Sequence, residues 1–517
     1  MTTLVPARIT QKGLVINNKL LAHVWSEKVY KTLLSKFTVI EFVIKKKNIH
    51  KHATSLRAYY RDNDDLIFTR MAPIFLPDIN KIVNVEEDVD SEDIEEAQKF
   101  NSIIPYYDYQ MIGADHIVNL FDTQHAAYAQ LDTGMGKTLL AAAVFQKYNK
   151  KTIIVCMSLA LVTQMITDFK NAFPTIKIVH YDESRHPKLK TTFNEYDVLV
   201  FVNISFSKRE DTMELFNNFK LLIIDEAHLY TSVTNEKVLW QTQFFDNVLA
   251  LSATPLGHPN KLDRFPLIFF GRPIEITKLE NINIADSAFK VNVHKIEYFG
   301  DETKPWCANF IQGNMLSAVS TIGNISKDPN RNQMIANIVM NLRKQNHGVM
   351  IFSELREHLV RIQQYIKSAG IPSEISVLMS GVADDTLETA KEYKEHVVLT
   401  TYGFSKIGIS LSSMTSLILA TPRRHGTAQV IGRILRKGSD ESIVREIYDI
   451  VDMNIGLKSQ YTTRSKTYKE RLYPITSERI YFRDIKYELK EEKFEEIQPE
   501  VDPSYRSFID KLISETF

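Results

Sequence analysis

The chain has 517 residues, 44% of them hydrophobic and 24% charged, and its 63 Lys and Arg balance 63 Asp and Glu. That length exceeds one core and implies two to four domains, and the even charge excludes a globally basic nucleic-acid field in favour of a local patch. Cys156 and Cys307 lie far apart with no Cys-x-x-Cys pair, which argues against a zinc ribbon or disulfide scaffold and for a reducing compartment. The histidines show no ligand spacing. No apolar run approaches a membrane span, and Met1 to Lys19 lacks the apolar stretch of a secretory signal, so neither membrane nor targeting signal is expected.

In chain order, residues 1–84 read as a small N-terminal accessory module. Phe37 to Ile44 and Leu66 to Arg70 have the β-branched and aromatic content of strands. Lys45, Lys46, Lys47 and Lys51 form a basic cluster, read as a solvated edge with nucleic-acid contact as the alternative. Residues 85–99 are an acidic linker carrying Glu86, Glu87, Asp88, Asp90, Glu92, Asp93, Glu95 and Glu96. The alternative is a nucleic-acid mimic shielding a basic groove.

Residues 100–280 alternate short apolar runs with helical ones. Ala126–Leu131, Thr152–Cys156, Asp197–Val202, Leu221–Ile224 and Val248–Ser252 read as strands buried on both faces of a parallel sheet. A helix is expected from Lys137 to Lys147. After a connecting region, 281–340, the layout recurs over 341–478 with strands at Gly348–Ser353, His396–Thr401 and Ser416–Ala420 and a helix over Leu355–Lys367. The fold class is therefore α/β, with two RecA-like, doubly wound parallel-sheet lobes. A charged tail, 479–517, ends in an expected helix at Tyr505–Ile513. Trp25, Trp240 and Trp306 offer no obvious base-stacking platform; core or interface positions account for them equally well.

Three stretches carry chemistry. The first is Asp132-Thr133-Gly134-Met135-Gly136-Lys137-Thr138. Its glycines permit a tight turn that aims backbone N–H groups at phosphates, Lys137 reaches the β/γ-phosphates, and the Thr138 hydroxyl serves magnesium. The helix after it adds its N-terminal dipole. The full eight-residue signature begins with Gly, where this chain has Leu131. The second is Asp225-Glu226-Ala-His228, at the end of an apolar strand, where open α/β sheets bind ligands. Asp225 would hold magnesium and Glu226 would act as general base. Ser252-Ala-Thr254-Pro comes after another strand and supplies hydroxyls for His228. The third is Gln429-Val-Ile-Gly-Arg433-Ile-Leu-Arg436, whose polar residues fall near one helical face. Its arginines suit neutralisation of charge on a γ-phosphate. The substrate would be ATP with Mg2+.

In order and spacing these residues resemble the superfamily two helicases and translocases of DEAH type, over about residues 105–475. The resemblance extends to Tyr109-Gln110, placed as the adenine-recognising glutamine. It also implies that Ser158, Asn203, Ser205, Phe352 and Thr401 touch a nucleic-acid backbone. Ser410 stands where that family usually has Asp, and Val430 where the DEAH-box RNA helicases carry Arg. Residues 409–440 are similar to the viral DNA helicases of the African swine fever virus group and, more distantly, to the poxvirus helicases of transcript release. The resemblance implies an ATP-dependent DNA helicase in viral transcription or genome maintenance. Its partners would be DNA and the viral transcription machinery, in the virion and host cytoplasm. A double-stranded DNA translocase, an RNA helicase and a non-enzymatic binding module are the alternatives.

Overall fold

The structure, a computed structural model, describes residues 5–24, 26–40, 55–77, 79, 83–87, 99–209, 217–256, 262–280, 282, 289–312, 315–370, 374–378, 396–405, 411, 413–424, 426–435, 440 and 442–485. Trp25, the Lys45–Lys47 cluster, Lys51, the acidic run beyond Glu87, Ser410, Arg436 and the Tyr505–Ile513 helix lie outside them. The chain divides into two compact units, residues 1–284 and 285–517.

The first unit opens with β1 (Val5–Thr10), β2 (Gly13–Asn17), α1 (Asn18–Val24) and α2 (Glu27–Lys36). Next come β3 (Thr38–Ile40), β4 (Ser55–Arg57), β5 (Tyr59–Asp62), β6 (Asp65–Phe68) and β7 (Val83–Glu87). Five of these strands form a sheet in the order β5-β6-β2-β1-β7, while β3 and β4 pair separately. This module shares its core with the rest of the unit. Leu14, Ile16, Phe37 and Phe68 belong to the same hydrophobic cluster as Ile153, Val155, Leu222 and Ile224.

The helices of the remaining part are α3 (Asp108–Leu120), α4 (Lys137–Tyr148), α5 (Leu159–Ala172), α6 (Asn203–Ser207), α7 (Val233–Gln241) and α8 (Arg264–Phe270). They flank β8 (Ala126–Gln130), β9 (Thr152–Cys156), β10 (Ile178–His180), β11 (Val198–Val202), β12 (Leu221–Ile224), β13 (Asn247–Ser252) and β14 (Pro273–Glu275). The seven strands are all parallel, in the order β10-β11-β9-β12-β13-β8-β14. Alternation of side chains along a strand feeds two cores. Ile154, Ile223 and Leu249 enter one with α3, α4 and α5, and Val155, Leu222 and Val248 enter the other. That double burial is why these strands read as continuous apolar runs.

The second unit repeats the plan. Its strands are β15 (Val291–Phe299), a small hairpin of β16 (Ile311–Gln312) and β17 (Met315–Leu316), then β18 (Gly348–Ser353), β19 (Glu374–Leu378), β20 (His396–Thr401), β21 (Met414–Leu419), β22 (Arg445–Asp452) and β23 (Ile475–Tyr481). Its helices are α9 (Ala318–Ile325), α10 (Pro329–Lys344), α11 (Arg356–Ser368), α12 (Thr427–Ile431) and α13 (Gln460–Glu470). The order of its parallel sheet is β19-β20-β18-β21-β22-β15-β23. Two RecA-like lobes are thus present. β15 falls inside the stretch 281–340 read from the sequence as a connection, yet it is paired on both sides, by β22 and β23. Its alternating burial, with His294 and Lys295 only part-buried, hid it from a search for continuous apolar runs.

Two buried ion pairs fix this unit. Arg464 grips Asp449 by Nε and Nη2, with Nη2 2.7 Å from Oδ1, and Tyr468 donates to Asp449 Oδ2 at 2.7 Å. Arg331 grips Asp452 at 2.6 and 3.0 Å. Among the described residues, no helix is long and apolar enough to cross a membrane.

Candidate active site

Because the first large sheet is parallel, β8, β9, β11, β12 and β13 all end at one edge. There the chain leaves the sheet at Leu131, Met157, Asn203, Asp225 and Ala253. The first-unit residues read from the sequence as candidate site residues, apart from Gln110, lie at or just after one of these strand ends.

The loop 131–136 is turned by Gly134 and Gly136, with φ of +89° and +76°. Both angles are in the left-handed region that glycine tolerates. Gly136 is also pressed by a neighbour. A Cβ there would stand 2.5 Å from Gln110 Nε2. Gln110 donates from Nε2 to the carbonyls of Met135 and Gly136, both at 3.2 Å, and its Oε1 accepts the Tyr107 N–H at 3.0 Å. Tyr109 Oη adds a bond to Met135 O at 2.9 Å. The resemblance places Gln110 against an adenine. It is fully buried, and its oxygen and nitrogen are engaged by Tyr107 and by the 131–136 loop.

The Lys137 ammonium opens α4 and lies 3.5 Å from Glu226 Oε1. Glu226 sits at φ +47°, ψ +47°. This left-handed conformation costs an ordinary residue roughly 1–2 kcal/mol. Such strain often marks a working site, and here it turns the chain sharply off β12. Asp225, one residue before, donates its N–H to Val155 O at 3.0 Å and is buried. Burial, then the neighbouring Glu226 charge, pushes its carboxyl up to about 7 against the opposing pull of Lys137. The site therefore holds an acid whose negative charge lacks full compensation, which suits a cation ligand.

His228 Nδ1 lies 2.9 Å from Ser252 Oγ and 3.3 Å from Glu226 Oε2. Ser252 Oγ also accepts the Thr254 N–H at 3.0 Å, and its carbonyl accepts the Leu131 N–H at 3.0 Å. Ser252 thus ties the start of the phosphate loop to the Asp225–His228 segment. Thr133, Met135 and Thr138 are partly exposed around the loop. The residues present fit a nucleoside triphosphate with a divalent cation: a glycine-shaped cradle, a lysine, and a buried acid beside a second carboxylate.

The remaining candidates divide. Ser158 caps α5, accepting the Leu161 N–H at 3.4 Å, and stays half-exposed. Ser205 is exposed and donates to Val202 O at 2.8 Å. Asn203 is buried and donates from Nδ2 to Asn235 Oδ1 at 3.0 Å. In the second unit, Thr401 is half-buried at the end of β20. Phe352 is a correction: it is fully buried, its ring stacked 5.5 Å from that of Tyr402, so its side chain presents nothing to a ligand. Gln429 lies in α12, but Arg433 does not. The helix ends at Ile431 and continues as tight turns, with Arg433 N bonded to Val430 O at 3.1 Å. That tightening interrupts the 3.6-residue period after Ile431, and Arg436 lies outside the described residues.

Asn235 and Gln241 escaped the sequence reading. An asparagine or glutamine inside a helix carries no motif signal; only the packing of α7 against α6 reveals it.

A family profile described as "Type III restriction enzyme, res subunit" matches residues 103–257. A protein of African swine fever virus (isolate Pig/Kenya/KEN-50/1950), QP509L, named an ATP-dependent RNA helicase, is 33% identical over 391 residues, 72% of this chain and 74% of that one. The fowlpox virus protein named transcript termination protein A18 is 23% identical over 355 residues, 65% of this chain and 71% of its own. Among solved structures, S. cerevisiae Dbp5 bound to RNA and ADP BeF3 is similar with TM-score 0.49 and 15% identity, covering 73% of this chain and 94% of that one.

Proposed function

The chain belongs to the family of superfamily two ATP-dependent helicases that includes African swine fever virus QP509L, and on that footing we propose that it couples ATP hydrolysis to tracking along and unwinding DNA in viral transcription or genome maintenance. The observation that carries the catalytic half is the cluster of Lys137, Glu226, His228 and Ser252 at one strand edge, linked by contacts of 3.5, 3.3 and 2.9 Å.

In this reading, backbone N–H groups of the 133–138 loop and Lys137 bind the triphosphate. Thr138 and Asp225 would hold Mg2+, which when bound neutralises phosphate charge and orients the oxygens for attack. Glu226 accepts the proton of the attacking water. For that, Lys137 must leave Glu226 for phosphate, which frees the carboxylate as the nucleotide arrives. His228 meets both Glu226 and Ser252 through its Nδ1. Arg433 and Arg436 are assigned to charge neutralisation at the γ-phosphate, where planar guanidinium donors act well, and Gln429 is a candidate uncharged hydrogen-bonding group of the same stretch. Ser158, Ser205 and Thr401 offer hydroxyls, and backbone beside them, to a nucleic-acid strand. Affinity resting on phosphate contacts would be salt-sensitive and sequence-tolerant.

DNA is favoured by the restriction-enzyme profile matched across residues 103–257. RNA is the second reading, favoured by the name of the QP509L relative. Steady-state ATPase with single-stranded DNA, duplex DNA, single-stranded RNA or nothing separates them. Strongest activation by single-stranded DNA is expected. Activation by duplex alone indicates a translocase that does not unwind, and activation by RNA alone an RNA helicase. No activity in any arm rejects the enzymatic reading.

A further inference from the structure

Helix α7 comes after the Asp225–His228 segment and packs along α6. Ser232 Oγ accepts the Asn235 N–H at 3.3 Å at its start. From there Asn235 reaches in two directions. Its Nδ2 donates to Leu229 O at 3.2 Å, one residue beyond His228, and its Oδ1 accepts from Asn203 Nδ2 at 3.0 Å. At the far end, Gln241 Nε2 donates to the carbonyls of Phe206 and Arg209 at 3.0 and 2.6 Å. Helix α7 thus grips α6 at both ends and holds the catalytic segment by the first grip.

The amide orientations here are determined by the partners, not chosen. Leu229 O only accepts, so Asn235 must present its NH2 to it. Asn235 Oδ1 then faces Asn203 and only accepts, so Asn203 must present its NH2 in turn. Asn203 Oδ1 is left over, buried without a hydrogen-bond partner among the described residues. A buried acceptor without a donor costs on the order of 1–3 kcal/mol. Both amides are more than nine-tenths buried, at 4% and 8% exposure.

We infer that Asn235 is a positioning residue that couples the strand-end segment α6 to the Asp225–His228 segment through the Asn203–Asn235–Leu229 chain. This rests on the reading of α6, with exposed Ser205, as part of the nucleic-acid path. A shift of α6 moves Asn203, and the paired amides pass it to the backbone beside His228, which contacts Glu226 and Ser252. Trp240, on the same helix, meets Tyr60 of the N-terminal module with ring centroids 4.9 Å apart. The lever is therefore braced against the accessory module.

The test uses the full chain with Asn235→Ala, the isosteric Asn235→Asp, Asn203→Ala and the double alanine variant. Turnover is measured with and without saturating single-stranded DNA or RNA. Nucleic-acid affinity is measured by fluorescence anisotropy, and folding by thermal melting. Asn235→Ala is expected to keep basal turnover within about twofold while stimulated turnover falls about tenfold, inside the usual range of coupling between sites. Asn235→Asp, which keeps the acceptor for Asn203 but loses the donor to Leu229 O, is expected to lose stimulation likewise. The double alanine variant should be no worse than either single, as for two members of one chain. Undiminished stimulation in Asn235→Ala and Asn235→Asp overturns the inference. So does an equal loss of basal and stimulated turnover, which marks a merely structural role. A wild-type protein with ATPase that neither DNA nor RNA stimulates rejects the nucleic-acid reading itself, and the coupling falls with it.

Discussion

The Lys137 ammonium and the Glu226 carboxylate stand 3.5 Å apart, with only 13% and 23% of their side chains exposed. Each holds the partner that the other must give up when a triphosphate binds. Glu226→Gln removes the base and weakens this competing contact together. Turnover is expected to fall by about 10²–10⁴-fold, the usual contribution of a general base, while nucleotide affinity stays level or rises. Turnover and fluorescent-nucleotide binding measured side by side check this. A parallel loss of both would place Glu226 in binding, not catalysis.

Lys137→Ala leaves the loop backbone in place and removes the phosphate cation. ATPase should vanish with nucleic-acid affinity nearly unchanged, because Lys137 faces Glu226 at the strand edge and not the α6 surface. Substantial residual turnover would reject the assigned loop.

Gly136→Ala tests the grip of Gln110 on that loop. The new methyl would meet Gln110 Nε2 at 2.5 Å at a φ of +76°. The left-handed strain is about 1–2 kcal/mol, and the clash displaces Gln110 from two carbonyls. KM for ATP should rise at least about tenfold, since about 1.4 kcal/mol already corresponds to that factor. Gln110→Ala in the same background should restore part of the affinity by removing the clash.

Arg464→Met tests the anchor of the second unit. It leaves Asp449, fully buried, with Tyr468 alone as its charge-relieving partner. Removing one member of a buried pair typically costs about 3–5 kcal/mol. Thermal melting should show the second unit unfolding at clearly lower temperature. An unchanged melt would mean that Asp449 is relieved in some other way.

Tyr230→Phe should do the reverse. The Tyr230 hydroxyl is buried without a hydrogen-bond partner among the described residues. Deleting a buried unsatisfied group is expected to stabilise the first unit by about 1 kcal/mol, seen as a higher denaturant midpoint. A loss of stability would reveal a partner for that hydroxyl, such as a bound water.

Much was legible in the chain alone. Thr152–Cys156, Gly348–Ser353 and His396–Thr401 form strands with the boundaries read from the sequence. A run buried on both faces has few ways to place its apolar side chains. The Lys137 and Asp225–Glu226 stretches stood out for a related reason, since phosphate and metal chemistry admits few residue types at few spacings, and the structure brings Lys137 and Glu226 to 3.5 Å. β15 was missed because its polar positions break the apolar run. Phe352 was misjudged because burial depends on neighbours, here Tyr402, that are distant in sequence.

By itself, then, the sequence determined the fold class and picked out the first-unit residues of the candidate site, since local periodicity and local chemistry encode both. Only the tertiary structure decided that Gln110 clasps the phosphate loop, that Glu226 shares Lys137 and His228, and that Asn235 joins α6 to the catalytic segment. Those relations are distances between groups that the chain brings together from far apart, and an amide in a helix shows its partners only once the helices are packed.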